Sequence, residues 1–326
     1  MAKLYYDKDA DLRALDGSRV AVVGYGIQGS AQARNLHDSR VEVVVGARPG
    51  GESWKAAKSD GLEVSEIGPA VASAKVVMML VPDEVQPEVY AGSVAPNLKK
   101  GTALDFAHGF NIRFGTIRPP KDVDVIMVAP KGPGAAVRDT YLKGFGVPAL
   151  LAVHQDATGH AKGTALAIAK GIGATKRGVI ETTFTEECET DLFGEQVDLC
   201  GGVSELIKTS FDVLVANGYQ PELAYFEVLH ELKMIVDLIQ AGGIENMWAN
   251  VSNTAEYGGR TRGSRVIDDR VQKNMEALLK DIKSGAFAND WIAEYRKGMP
   301  TLAKARKDGP ESQLERVGRD VRRMFT

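Results

Sequence analysis

From Val20 to about Phe184 the chain alternates short β-branched runs with longer stretches of helical periodicity, and after Phe184 only the helical period remains. The first pattern predicts a mostly parallel, doubly wound Rossmann-like sheet; the second predicts an all-α domain. Expected strands are Val20–Val23, Val41–Val45, Val76–Leu80, Thr102–Asp105, Val123–Val128, Leu150–Val153 and Gly178–Glu181. Expected helices include Ser30–His37, then Asp191–Ala216, Pro221–Gln240, a shorter segment near Glu245–Ala255, and Arg265–Lys283. Pro221 suits a helix start, and Gly242-Gly243 a helix break. Ser252 to Gly259 is polar and reads as a loop returning toward a site or an interface. The domain boundary is expected near Glu181–Phe184, dividing residues 1–182 from 183–326.

Strands of such a sheet end in loops that ring one crevice. The first loop, Gly24-Tyr25-Gly26-Ile27-Gln28-Gly29, lies between a strand and a helix, the context a dinucleotide fingerprint requires. Its first glycine permits a tight turn, its second an approaching pyrophosphate, and its third close helix packing. The second strand ends in Gly46-Ala47-Arg48 instead of an acid, and Ser53 follows a turn later. A cation and a hydroxyl there suit a ribose 2′-phosphate, favouring NADPH; Glu52, able to sit near the adenosine ribose, keeps NADH as an alternative. His108 in AHGF stands just past a strand end, where an imidazole can shuttle protons or simply be structural. Lys131, in the PKGPG turn, can offset negative charge on substrate oxygens, and Gly134 can admit the cofactor closely.

Two pairs of acids stand out in the helical half. Asp191 and Glu195, and Glu227 and Glu231, are each four residues apart among Leu192, Phe193, Val197, Phe226, Val228, Leu229 and Leu232. Carboxylates at that spacing share a helix face and repel, so in apolar helices they call for a compensating hard cation. Solvated surface acids are the plain alternative.

A chain of 326 residues, 44% hydrophobic and 25% charged, is long enough for two domains. A net charge of -3 excludes a broad nucleic-acid footprint. Cys188 and Cys200 have no Cys or His cluster beside them with which to build a zinc site, and both are expected reduced. No stretch of eighteen apolar residues occurs, and MAKLYYDKDADL lacks a basic start before an apolar run, so the cytoplasm is the expected compartment and no membrane partner is expected.

GYGIQG, AHGF, VIMVAPKGPG, ETDLFGEQ, LCGG, YFEVLHELK and SNTAEYG, in that order over nearly the whole chain, resemble the ketol-acid reductoisomerase family in its short, class I form. The resemblance implies conversion of 2-acetolactate or 2-aceto-2-hydroxybutyrate to a 2,3-dihydroxy acid in valine and isoleucine synthesis, by alkyl migration and then reduction by NADPH, or NADH. It implies two Mg2+ ions, with Asp191 bridging them, Glu195 serving one, and Glu227 with Glu231 the other. It also implies Ser252 on the substrate, His108 at the reacting centre, Lys131 in its polar network, and Tyr25, Gly26, Ile27, Gln28, Arg48, Ser53, Asp83, Glu84, Val85 and Gln86 along the cofactor. The helical domain of such proteins is expected to be knotted and to interlock with a partner's, giving a homodimer or larger homo-oligomer. A metal-free hydroxyacid dehydrogenase would leave the four acids unexplained, and a non-catalytic dinucleotide sensor would need neither them nor His108.

Overall fold

The computed structural model describes residues 2–324. They form two compact units, the first ending at Thr190 and the second beginning at Asp191.

The first unit is built on a nine-stranded sheet. Its strands are β1 (Leu4–Tyr5), β2 (Val20–Val23), β3 (Val43–Gly46), β4 (Glu63–Ser65), β5 (Val76–Met79), β6 (Ala103–Phe106), β7 (Asp124–Pro130), β8 (Ala149–Gln155) and β9 (Val179–Glu181). They lie in the order β1-β9-β8-β7-β6-β5-β2-β3-β4. The run from β4 to β7 is entirely parallel, in the order of a doubly wound dinucleotide fold, and its direction of winding reverses between β2 and β5. β8 meets β7 antiparallel and β9 parallel, and β1 closes the edge antiparallel to β9.

Near-continuous apolar strands are what a sheet covered on both faces requires. Every residue of β2, β3, β5 and β6 is buried. Alternate residues feed different cores: Val20 and Val22 pack with Leu36, Ile126 and Ile168 on one face, while Ala21 and Val23 pack with Met79, Phe106 and Met127 on the other. The expected strands are all present, β2 with the expected bounds and the others with ends shifted by at most two residues. β1 and β4 were not expected, because strands of two and three half-exposed residues carry no readable period.

In β6 one buried side chain breaks the apolar rule. Asp105 in β6 is fully enclosed, and neither carboxylate oxygen has a hydrogen-bond partner in the structure. Burial pushes its pKa well above the usual carboxylate range, offset only in part by the amides of Val128 and Phe106, which lie outside hydrogen-bond geometry.

In the second unit, Phe211, Ala224, Tyr225, Leu314 and Val321 form a small core from Gly201–Ala216, Pro221–Tyr225 and the C-terminal helix Gln313–Arg322. The two expected long helices are interrupted. Phe184–Gly194 runs into a π-helical turn at Glu195–Leu199, and Pro221–Tyr225 into another at Phe226–His230. The helix Leu232–Ala249 is broken at Gly242 and Gly243, the expected place, with Gly243 at φ +86°. The expected segment Glu245–Ala255 is divided by a turn at residues 250–252, and Arg265–Lys283 by a break after Val266. The polar stretch read as a loop is helical instead: Ser252 caps Asn253–Val266 by accepting from Ala255 N–H. Among the described residues no helix is long and apolar enough to cross a membrane.

A carboxyl group that is neutral when folded and ionised when unfolded stabilises fully below its unfolded pKa, near 4, and progressively less as pH rises toward its folded pKa. Asp105→Asn should therefore raise the melting temperature of the protein more at pH 8 than at pH 5, read by calorimetry. A difference independent of pH would show that Asp105 is not neutral in the folded state.

Candidate active site

The crevice of the first unit is assembled at the carboxyl ends of β2, β5, β6 and β7. After β2 the three loop glycines meet three different constraints. Gly24 has φ +100°, and a Cβ there would lie 2.8 Å from the Val81 nitrogen. Gly29 comes so close to Gly24 that a Cβ would be 2.3 Å from its carbonyl oxygen. At Gly26 no atom lies within 4 Å of the Cβ position, so this stretch of backbone is open to a ligand. The helix Ile27–Asp38 begins at once, and its first residue, Ile27, is 77% exposed.

The neighbouring residues divide into those that face the crevice and those that build it. Tyr25 is buried and its hydroxyl donates to Asp60 at 2.7 Å, which leaves its backbone as the part able to meet a cofactor. Burial, then the bond to Asp60, raises its phenol pKa. Gln28 donates to the Gly132 carbonyl at 2.9 Å and so ties the glycine loop to the turn after β7. The same junction explains Gly134. A Cβ there would sit 1.9 Å from the Ile27 carbonyl, so the close approach it permits is to the glycine loop and not to a cofactor. Beyond β3, Arg48 is exposed and Ser53 half-buried in the first turn of Glu52–Ser59, whose N-cap is Gly51.

Beyond β5, Asp83, Glu84 and Val85 are half-buried, whereas Gln86 is buried and donates to the Val81 carbonyl (3.0 Å) and Asp83 Oδ1 (3.2 Å). Gln86 accepts in turn from Asn111, so its side chain shapes the loop.

His108 and Lys131, from the loops after β6 and β7, are brought together by a residue not anticipated from the sequence. Glu187, on the helix Phe184–Gly194, is 1% exposed. Its Oε2 lies 3.1 Å from His108 Nδ1 and accepts from Gly109 N–H at 2.8 Å; its Oε1 accepts from Lys131 Nζ at 3.1 Å. Burial pushes the Glu187 pKa up, but the hydrogen bond and charge of His108, the charge of Lys131 and the Gly109 amide together bring it below the ordinary value. With Nδ1 turned to a carboxylate, the imidazole presents Nε2 to the crevice, where Asp83 Oδ2 stands 3.9 Å away. A signal for Glu187 was available: it precedes Asp191 by four residues as Asp191 precedes Glu195, one acid ladder on one helical face.

In the second unit three of the four predicted ligands stand at the π-turns, and Asp191 lies one helical turn before the first. Glu195 opens the first and its carbonyl accepts from Cys200 N–H five residues on; Glu227 lies within the second, which Glu231 closes by donating its N–H to the Phe226 carbonyl at 3.1 Å. Such one-residue insertions are concentrated at functional sites. The apolar flanks do not bury the acids as expected. Asp191 is half-buried and Glu195, Glu227 and Glu231 are exposed, as are Leu199, Met234 and Val236 beside them.

The strand order and the open glycine loop define the class: a doubly wound dinucleotide-binding fold. A semialdehyde dehydrogenase NAD-binding protein from Cupriavidus necator, 20% identical over 82% of this chain and 99% of that one, shares this fold with a TM-score of 0.62. Residues 14–178 match the family model for the acetohydroxy acid isomeroreductase NADPH-binding domain, and residues 184–326 that for the ketol-acid reductoisomerase C-terminal domain. Relatives named ketol-acid reductoisomerase (NADP(+)) from Pyrobaculum aerophilum and Pyrobaculum calidifontis are 57% and 58% identical; the first covers 100% of this chain and 99% of its own. The solved structure of an NADH-preferring ketol-acid reductoisomerase from an uncultured archean is 49% identical over 99% of both chains, with a TM-score of 0.97. The chain belongs to the ketol-acid reductoisomerase family.

A carboxyl held below its ordinary pKa contributes stability that is fully present above its unfolded pKa, near 4.3, and is lost as pH falls through the folded value. Replacing Glu187 by Gln should cost about 2–3 kcal/mol at pH 7, the worth of a charged buried hydrogen bond. In denaturant titrations the difference should shrink between pH 5 and pH 3. A constant penalty across that range would exclude an ionised Glu187.

Proposed function

We propose that this chain converts 2-acetolactate or 2-aceto-2-hydroxybutyrate to the corresponding 2,3-dihydroxy acid, with residues 1–182 holding the dinucleotide and residues 183–326 the metal and substrate. The observation that carries the reading is the buried Glu187 carboxylate, which holds an imidazole and an ammonium side by side at the ends of β6 and β7. A hydroxyl that must lose a proton while a neighbouring ketone gains electron density needs a proton acceptor and a positive charge in one place.

The residues suit the expected groups. Gly26 leaves open backbone where a pyrophosphate would lie, and the four acids are all oxygen donors, the chemistry of a hard cation. Asp191, Glu195, Glu227 and Glu231 would hold two Mg2+ ions, Asp191 shared. When bound, magnesium supplies the positive charge that acidifies the substrate hydroxyl and polarises its carbonyl, and the nicotinamide supplies the hydride.

The chain's own groups do the rest. Glu187 orients the His108 ring through Nδ1 and turns Nε2 to the crevice, where the neutral ring takes a proton from substrate and the charged ring returns one. Lys131, held through its Nζ, keeps a positive charge beside the oxygens on which negative charge grows. Ser252 accepts from Ala255 N–H with an oxygen lone pair, so its own proton stays available for a substrate oxygen. Gly26, Ile27 and Gln28 would hold the pyrophosphate of the dinucleotide, and Asp83 to Val85 would line the rest of its site.

NADPH is the cofactor we assign, in keeping with the names of the Pyrobaculum relatives. Exposed Arg48 and half-buried Ser53 support a 2′-phosphate, while Glu52 beside them opposes it, and the archaeal structure named NADH-preferring makes NADH the alternative. We read the protein as a cytoplasmic homodimer or larger homo-oligomer, free of nucleic acid and membrane. Support for self-association lies in the helical unit, where Leu199, Val213, Met234, Ile244 and Tyr257 are all exposed in the single chain.

Glu227→Gln should abolish turnover of 2-acetolactate while the NADPH dissociation constant, measured by fluorescence, changes less than about twofold, because the substitution removes a metal ligand distant in sequence from the cofactor loops. Undiminished turnover would refute the metal assignment.

A further inference from the structure

Ser252 sits in a short turn, and the helices on either side are joined by one clasp. Trp248 ends the helix Leu232–Ala249; Gly259 and Arg260 belong to the next, Asn253–Val266. A Cβ at position 259 would approach Trp248 Cη2 to 2.3 Å and Cζ3 to 2.8 Å, so the indole lies against bare helix backbone. The Arg260 guanidinium stands 5.2 Å from the Trp248 ring centre. Its Nη2 and Nη1 donate to Glu245 Oε2 (2.6 Å) and Oε1 (3.3 Å), and its Nε to Glu256 Oε1 (2.9 Å). One side chain thus grips the helix before the turn through Glu245 and its own helix through Glu256.

The helix that begins after Glu231 leaves helical geometry at Gly242 and Gly243, where Asn246 bridges the gap by donating to the Leu238 carbonyl at 2.8 Å. The clasp lies wholly beyond that break: it ties the segment that carries Glu245 and Trp248 to the helix that follows Ser252, so the turn between them is held from both sides. Exposed ion pairs stabilise little, but a bidentate, ring-stacked guanidinium fixes direction in a way a lysine cannot.

We propose that Arg260 is a positioning residue for the substrate: through Glu245 and Trp248 it holds the turn that presents the Ser252 hydroxyl. The proposal rests on the reading of Ser252 as a substrate ligand. Steady-state kinetics of the intact enzyme with Mg2+, NADPH and 2-acetolactate test it. Arg260→Ala should raise the KM for 2-acetolactate about tenfold, a modest share of what a misplacement of about 1 Å can cost, and leave the KM for NADPH within about twofold. Arg260→Lys should recover only part of the loss. Glu245→Gln, at an exposed position, should move the same constant in the same direction and serves as the deciding variant if Arg260→Ala fails to fold. In a Ser252→Ala background Arg260→Ala should add almost nothing, since both act through one hydroxyl. Losses that multiply in the double variant, or a normal KM in both Arg260→Ala and Glu245→Gln when Ser252→Ala is impaired, would overturn the clasp. Wild-type kinetics in Ser252→Ala alone would instead retire the substrate role of Ser252.

Discussion

A carboxylate taken out of water costs several kcal/mol unless donors replace its hydration, and in the first unit that demand organises the crevice. Glu187 meets it with a backbone amide, an imidazole and an ammonium drawn from the loops after β6 and β7. Those loops can deliver the donors only because the parallel register places the ends of β6 and β7 side by side, Phe106 opposite Met127. The glycine loop is fastened to the same place by Gln28 on Gly132 and by the contact of Gly134 with Ile27. One buried charge thus fixes His108 and Lys131 beside the glycine loop.

Much of this was legible in the sequence, for a physical reason. Strands buried on both faces read as unbroken apolar runs, so β2, β3 and β5 to β9 could be placed to within a residue or two. β1 and β4, short and at the edges, could not. Steric demands on the glycine loop were also legible, since each glycine answers to one constraint. What sequence did not carry was the difference between a side chain that faces a ligand and one that builds the wall behind it. Tyr25 and Gln86 sit in cofactor-facing motifs, yet their side chains bind Asp60 and their own loop, and Gly134 yields space to Ile27.

The acids illustrate the same limit. Spacing of four residues suggested two smooth helical faces, but extra residues at Glu195–Leu199 and Phe226–His230 convert each into a π-turn, which periodicity cannot register. Apolar neighbours suggested buried acids, yet three of the four are exposed in the single chain, along with much of the apolar surface beside them. Glu187 was passed over because it stands in a run of acids, EECE, that looks solvated. The repeat of its spacing at Asp191 and Glu195 was the clue.

Coupled isomerisation and reduction is the claim on which the roles of all these residues converge, and it makes one demand no simple dehydrogenase would share. NADPH oxidation driven by 2-acetolactate, followed at 340 nm, should vanish when divalent metal is chelated and return in full on adding Mg2+. Oxidation that continues undiminished without metal would contradict the account.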